Sequence, residues 1–130
     1  MPKPVPFGKE KILCQGKTLE LVQQQYKVGN KFITLEHARR APGVRLIIIK
    51  GRKLLLTKEY RPELKGFDYR LPGGKVFDTL GEYKQELSRK TNMQSQAQRA
   101  AKQECRQETG LIAEKLSLFQ ITKAGLTMEW

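Results

Sequence analysis

The chain has 130 residues, 38% of them hydrophobic, with 25 Lys and Arg against 13 Asp and Glu, a formal net charge of +12. That length makes a single core rather than two, and no apolar run approaches the 18 residues that a membrane span requires. Two cysteines, Cys14 and Cys105, provide neither a disulfide framework nor the spacing of a zinc site.

Residues 1–8 are proline-rich and polar, unlike the apolar core of a signal peptide, so a soluble, cytoplasmic protein is expected. The first predicted strands are residues 18–26 and 31–38, joined at Val28-Gly29-Asn30 as a hairpin. His37, the single histidine, alternates within the second of them and reads as structural. Further strands are predicted at residues 43–49, 53–58 and 68–71, the first two separated by Gly51-Arg52-Lys53. The segment Leu71-Pro72-Gly73-Gly74 then forms a turn where the backbone, carrying no side chain at either glycine, can approach a ligand closely.

A polar stretch follows, with a helical pattern over residues 82–89 and then a longer helix over 95–109. At 3.6 residues per turn Ala97, Ala101, Glu104 and Glu108 point the same way within roughly 60°. Arg99, Lys102, Arg106 and Thr109 occupy the other side. Two acids therefore lie in the apolar stripe, and like charges at i and i+4 cost roughly 0.2–0.5 kcal/mol on an exposed helix unless a cation compensates them. A divalent metal meets that need, as does a Lys or Arg from another element. Gly110 is a C-cap, since glycine takes the left-handed conformation without strain. Strands are expected again at 111–122 and 126–130.

These motifs carry a resemblance. Gly74, Glu82 and the run Gln103-Glu104-Cys105-Arg106-Gln107-Glu108-Thr109-Gly110-Leu111 resemble the Nudix box, with Gln103 where the family has Arg and Gln107 where it has a Glu. The interval from Gly74 to Gly110 is longer than the family's, and the insertion falls mainly in residues 83–99. Glu86 is the alternative to Glu82. Upstream, the hairpin of residues 44–57 and Glu59-Tyr60-Arg61-Pro62 resemble the ADP-ribose pyrophosphatase-like members of the family.

The resemblance implies an α+β fold, a Nudix-type α/β/α sandwich with a mixed sheet. An N-terminal antiparallel hairpin region (1–40) precedes a core (41–130), in a single domain that looks C-terminally incomplete. It implies Mg²⁺ or Mn²⁺ as cofactor, held by Glu104, Glu108, Gln107 and the carbonyl of Gly73. Glu104 and Glu108 are the implied catalytic residues, and Arg61, Lys75 and Tyr60 the substrate-binding ones. A homodimer acting on ADP-ribose or another nucleoside diphosphate linked to a second moiety is expected. The alternatives are a catalytically weak module that binds nucleotide or nucleic acid, and a hydrolase of triphosphates or RNA 5′ ends.

The charge bears on the nucleic-acid alternative. Residues 1–81 carry 17 basic and seven acidic side chains, residues 82–130 eight and six, so the excess lies away from the glutamate helix. Tyr60, Phe67 and Tyr69, close to the glycine turn, suit the stacking of one base in a pocket or serve as core and rim aromatics.

Overall fold

The computed structural model describes residues 2–122. The predicted 126–130 strand lies outside them. The first three elements form an antiparallel sheet: β1 (Val5–Gln15), β2 (Leu19–Val28) and β3 (Lys31–Arg40), with β2 in the middle. β2 and β3 are joined by Gly29-Asn30, Gly29 at φ +60°, and pair without a break from Val28 opposite Lys31 to Leu19 opposite Arg40.

β1 corrects the expectation of a merely polar, proline-rich N-terminus. Its register against β2 shifts twice, between Phe7 and Lys11 and between Ile12 and Cys14. Gly8, at φ +70°, lies within the first shift. The amide of Gln24, 7% exposed, donates to the carbonyls of Phe7 (2.8 Å) and Gln25 (2.9 Å), so a buried polar group satisfies the irregular backbone. Bulges of this kind hide the strict alternation by which a strand is recognised in sequence.

The predicted strand over 43–49 is two short pieces, β4 (Gly43–Arg45) and β5 (Ile49–Lys50). The chain changes partner between them. The Leu46 amide donates to the Pro72 carbonyl at 2.7 Å, whereas the Ile48 carbonyl accepts from Leu55 at 2.9 Å. β5 pairs with β6 (Lys53–Leu54) through the Gly51-Arg52 turn, and β7 (Thr57–Arg61) pairs with β8 (Gly66–Arg70). β9 (Gly73–Lys75) then returns to pair antiparallel with β4.

Two helices follow, α1 (Leu80–Ser88) and α2 (Met93–Thr109), making the described chain a mixed α+β structure. The predicted 111–122 strand is not formed. From Leu111 to Thr122 the chain runs without regular structure, and Ala113 and Leu116 pack on the cluster of Leu46, Ala101 and Cys105 instead of joining a ladder. Those two side chains gain partial burial against the helix, whereas Ile112, Leu118, Phe119 and Ile121 stay more than half exposed, so the apolar content that suggested a strand is mostly not buried. No helix among the described residues is long and apolar enough to cross a membrane.

α1 begins with a capping box: Thr79 Oγ1 accepts from the Glu82 amide at 3.1 Å, and the Glu82 carboxylate accepts from the Thr79 amide at 3.3 Å. The helix is tied to the three-stranded sheet by the Leu80 amide, which donates to the Lys17 carbonyl at 3.0 Å. Leu80 itself is buried. A second tie is the carboxylate of Glu20, whose side chain is 0% exposed. It accepts from Lys84 of α1 at 2.6 Å and from Arg39 of β3 at 3.2 Å. A carboxylate out of water is tolerated only when paired in this way.

Arg39 also bonds Glu10 of β1, and this contact holds the Glu10 carboxyl below its ordinary value of 4.5. One guanidinium thus joins all three strands. Arg39→Met is expected to cost about 1–3 kcal/mol in urea unfolding, the partial exposure of Arg39 lowering the figure for a fully buried pair. Because the folded value of Glu10 is depressed, its contribution is present above pH 4.5 and is lost as the pH falls through the folded value. The Arg39→Met protein should show a flatter acid limb in stability measured against pH.

Candidate functional site

α2 is defined at both ends by its sequence. Asn92 Oδ1 accepts from the amides of Gln94 (3.0 Å) and Ser95 (3.2 Å), and Gly110 closes the helix at φ +72° with its amide on the Arg106 carbonyl at 3.0 Å. Between these caps Ala100, Ala101 and Cys105 are buried, while Arg99, Lys102 and Arg106 are exposed. The buried residues are small, which lets the helix backbone come close to the β4–β9 pair. Cys105 lies within the apolar cluster as a core residue.

Glu104 and Glu108 adjoin this stripe and meet β9. The Gly73 amide donates to Glu108 Oε2 at 2.8 Å. The Glu104 carboxylate lies directly against Gly74, where any Cβ would collide with its carboxyl carbon and both oxygens. A Cβ on Gly73 would collide equally with the Val44 carbonyl of β4, and its φ of +156° is itself a conformation that side chains disfavour. The two glycines are therefore required for separate reasons, one by the neighbouring strand and one by the helix acid.

The ladder explains why the Gly73 amide is available. The bond from Leu46 to Pro72 makes those two residues a hydrogen-bonded pair, so the next pair, Arg45 and Gly73, is a non-hydrogen-bonded one. In such a pair the amide and carbonyl of each residue point away from the partner strand. The Gly73 N–H uses this freedom to reach Glu108, and its carbonyl lies along the same edge. Two carboxylates and a backbone carbonyl so arranged are hard oxygen donors of the kind suited to Mg²⁺ or Mn²⁺. Among the described residues no group of three or more His, Cys, Asp or Glu forms a metal cluster.

The other expected site residues are distributed around this pair. Gln107, with Gln103, lines an open depression bounded by Lys102, Arg106, Ile112 and Ala113 rather than sharing the glycine contacts of Glu104 and Glu108. Lys75 is exposed on β9, next to Gly74, with no ion pair among the described residues. Glu82 is engaged by the α1 capping box, and Glu86 by Thr91 (2.6 Å) and Arg89 (3.1 Å).

Tyr60 and Arg61 stand on the β7–β8 hairpin. Arg61 bonds Glu59 at 2.7 Å, and its Nε is buried with no partner among the described residues. On one face of that hairpin Tyr60 and Phe67 meet edge to face at 5.5 Å, and the Lys58 ammonium stands 4.6 Å from the Phe67 centroid. These rings and Tyr69 are all more than half exposed, so they form an open surface and belong to no core. On the opposite face Arg70 beside Asp68 holds that carboxyl below its ordinary range.

The structure brings together the two glutamates and two glycines singled out in the sequence, and it adds the buried Glu20, which sequence reasoning missed. A lone Glu in an otherwise alternating strand carries no signal for it, whereas the Thr79-x-x-Glu82 spacing was a readable sign of a cap. Comparison with family models, with curated proteins and with solved structures gave no match.

Gly74→Ala should destabilise the protein by about 1–3 kcal/mol, the usual range for forcing extra volume into a packed contact. In a Glu104→Ala background the same substitution should cost markedly less. Urea unfolding of the four proteins in this double-mutant cycle measures the coupling, and strictly additive costs would show that Glu104 does not occupy the space above Gly74.

Proposed function

We propose that the chain is a metal-dependent hydrolase of the Nudix type, cleaving a nucleoside diphosphate linked to another moiety by attack of water on the pyrophosphate. ADP-ribose or a nucleoside-diphosphate sugar is the leading substrate, and an α/β/α sandwich and a homodimer belong to the same reading. The observation that carries it is the convergence of Glu104 and Glu108 on Gly73 and Gly74. The acids lie 30 or more residues from the glycines in sequence, and Gly73, Glu104 and Glu108 are three of the four positions at which the motif resemblance implies metal ligands, the fourth being Gln107.

The donor set suits the cofactor. Mg²⁺ is ordinarily held by one or two carboxylates, with waters and substrate phosphates completing its octahedron, so a cluster of three or more protein acids is not required. Glu104, Glu108 and the Gly73 carbonyl would hold it. The bound ion supplies neutralisation of the pyrophosphate oxygens and lowers the pKa of a coordinated water.

The chain's own groups have definable tasks. The hydrogen bond from the Gly73 amide fixes the Glu108 carboxylate, and packing against Gly74 fixes that of Glu104, so neither acid must be ordered when substrate arrives. Lys75 follows directly on the glycine pair and offers a cation to phosphate oxygens. Arg61 is assigned to the substrate on the resemblance, as is Tyr60, whose exposed ring offers a stacking surface.

A second reading, a catalytically weak module that binds nucleotide, is favoured by two particulars: Gln107 brings no charge, and Glu82 is consumed in a helix cap. Release of AMP from ADP-ribose with Mg²⁺ or Mn²⁺ decides between the readings. Glu108→Gln and Glu104→Gln should each lower that rate by at least about a hundredfold while leaving the fold intact by circular dichroism. Nucleotide binding by a folded protein, without turnover of any diphosphate or triphosphate, would instead establish the weak module.

A further inference from the structure

The three-stranded sheet has two unlike faces. Side chains directly opposite across an antiparallel pair share a face, and the set repeats every second residue. Glu20 of β2 and Arg39 of β3 therefore lie on the face reached by Lys84 of α1. The other face bears Phe7 and Lys11 from β1, Gln23, Gln25 and Lys27 from β2, and Phe32, Thr34 and Glu36 from β3. α1 is bonded to the first face, and the second is turned away from it.

Two features of this second face are unusual for a surface. Phe7 and Phe32 approach across β2 to 4.9 Å between ring centroids, yet they remain 50% and 54% exposed. The charge around them is one-sided. Residues 1–40 carry eight basic and three acidic side chains. Two of those acids are ion-paired, Glu10 with Arg39 and Glu20 with Arg39 and Lys84; Glu36, on this second face, accepts from the neutral Gln23 amide at 3.1 Å and keeps its charge, leaving Lys11 and Lys27 in excess there. Lys11 and Lys27 have no ion pair among the described residues.

We propose that this face binds single-stranded nucleic acid, with unpaired bases stacking on Phe7 and Phe32 and Lys11 and Lys27 contacting the phosphates. An aromatic pair flanked by uncompensated cations matches the two components of a polynucleotide strand, a π-surface and a repeated negative charge. A duplex offers only the second, since its bases are already stacked. Gln23, Gln25 and Thr34 supply hydrogen-bonding groups on the same face. The inference is independent of the hydrolase reading, because none of these residues belongs to the glutamate–glycine site.

The test is fluorescence anisotropy of the intact protein with labelled oligo(dT) and oligo(rU) of about 12 nucleotides and with a duplex of equal length. With two phosphate contacts the affinity for single strands should fall about sevenfold between about 50 and 200 mM salt. Lys11→Gln and Lys27→Gln should each reduce the slope of log affinity against log salt by about 0.7. Phe32→Ala should weaken binding roughly tenfold without altering that slope. Phe7→Leu and Phe32→Leu, which keep an apolar side chain but lose the ring, guard against loss of fold, and both should bind more weakly. Lys65→Gln, on the β7–β8 hairpin, should bind like the parent.

Stronger binding of both single strands than of the duplex, lost with the rings, supports the proposal. Preference for one of the two strands then identifies RNA or DNA. It is overturned by a folded protein that binds neither strand, by equal binding of the duplex, or by ring variants of unchanged affinity. Sedimentation as a dimer that dissociates on loss of the Phe7 and Phe32 rings would also overturn it, since a second copy would then occupy the face.

Discussion

The meeting of α2 with β9 is the contact on which the remaining arrangement depends, and it exists because neither partner presents bulk. Ala101 and Cys105 on the helix and Gly73 and Gly74 on the strand bring two backbones together that larger side chains would hold apart. The space left at Gly74 is occupied by the Glu104 carboxylate, and the amide left unpaired at Gly73 is taken by Glu108. A polar contact has been placed at the edge of an apolar one. The apolar cluster sets the distance, and the glycines decide what can stand at it.

The segments before and after this contact are organised around it. β4 supports β9 from the other side, and Leu46 both closes that ladder onto Pro72 and heads the cluster under α2. The chain leaving Gly110 turns back so that Ala113 and Leu116 cover the same cluster. The three-stranded sheet is joined to the helices differently, through polar groups: Glu20 with Lys84, and Leu80 with the Lys17 carbonyl. One region is thus assembled on shape and the other on hydrogen bonds and charge. Loss of a small residue should disturb the first, and loss of a cation the second.

The charge of the chain acquires meaning only with this division. The described carboxylates of the N-terminal sheet are engaged locally, which leaves its excess lysines as a field on an open surface. Glu104 and Glu108 stand instead at a backbone edge, against the Gly73 amide and Gly74, with no ion pair among the described residues.

The sequence by itself determined the two helices, the glycine pair, the Gly29-Asn30 and Gly51-Arg52 turns and the common face of Glu104 and Glu108. Each of these rests on local rules: helical period, capping residues, and the backbone freedom of glycine. Only the tertiary structure decided the rest. That β1 is a strand depends on Gln24 of its neighbour satisfying a bulge, and that residues 46–48 interrupt a strand depends on two different partners, Pro72 and Leu55. Residues 111–122 find no partner strand among the described residues and place only Ala113 and Leu116 on the helix cluster, and that Glu20 is buried depends on cations 19 and 64 residues away. Pairings over such separations are choices among distant segments, and no local pattern of side chains specifies which segment will be there.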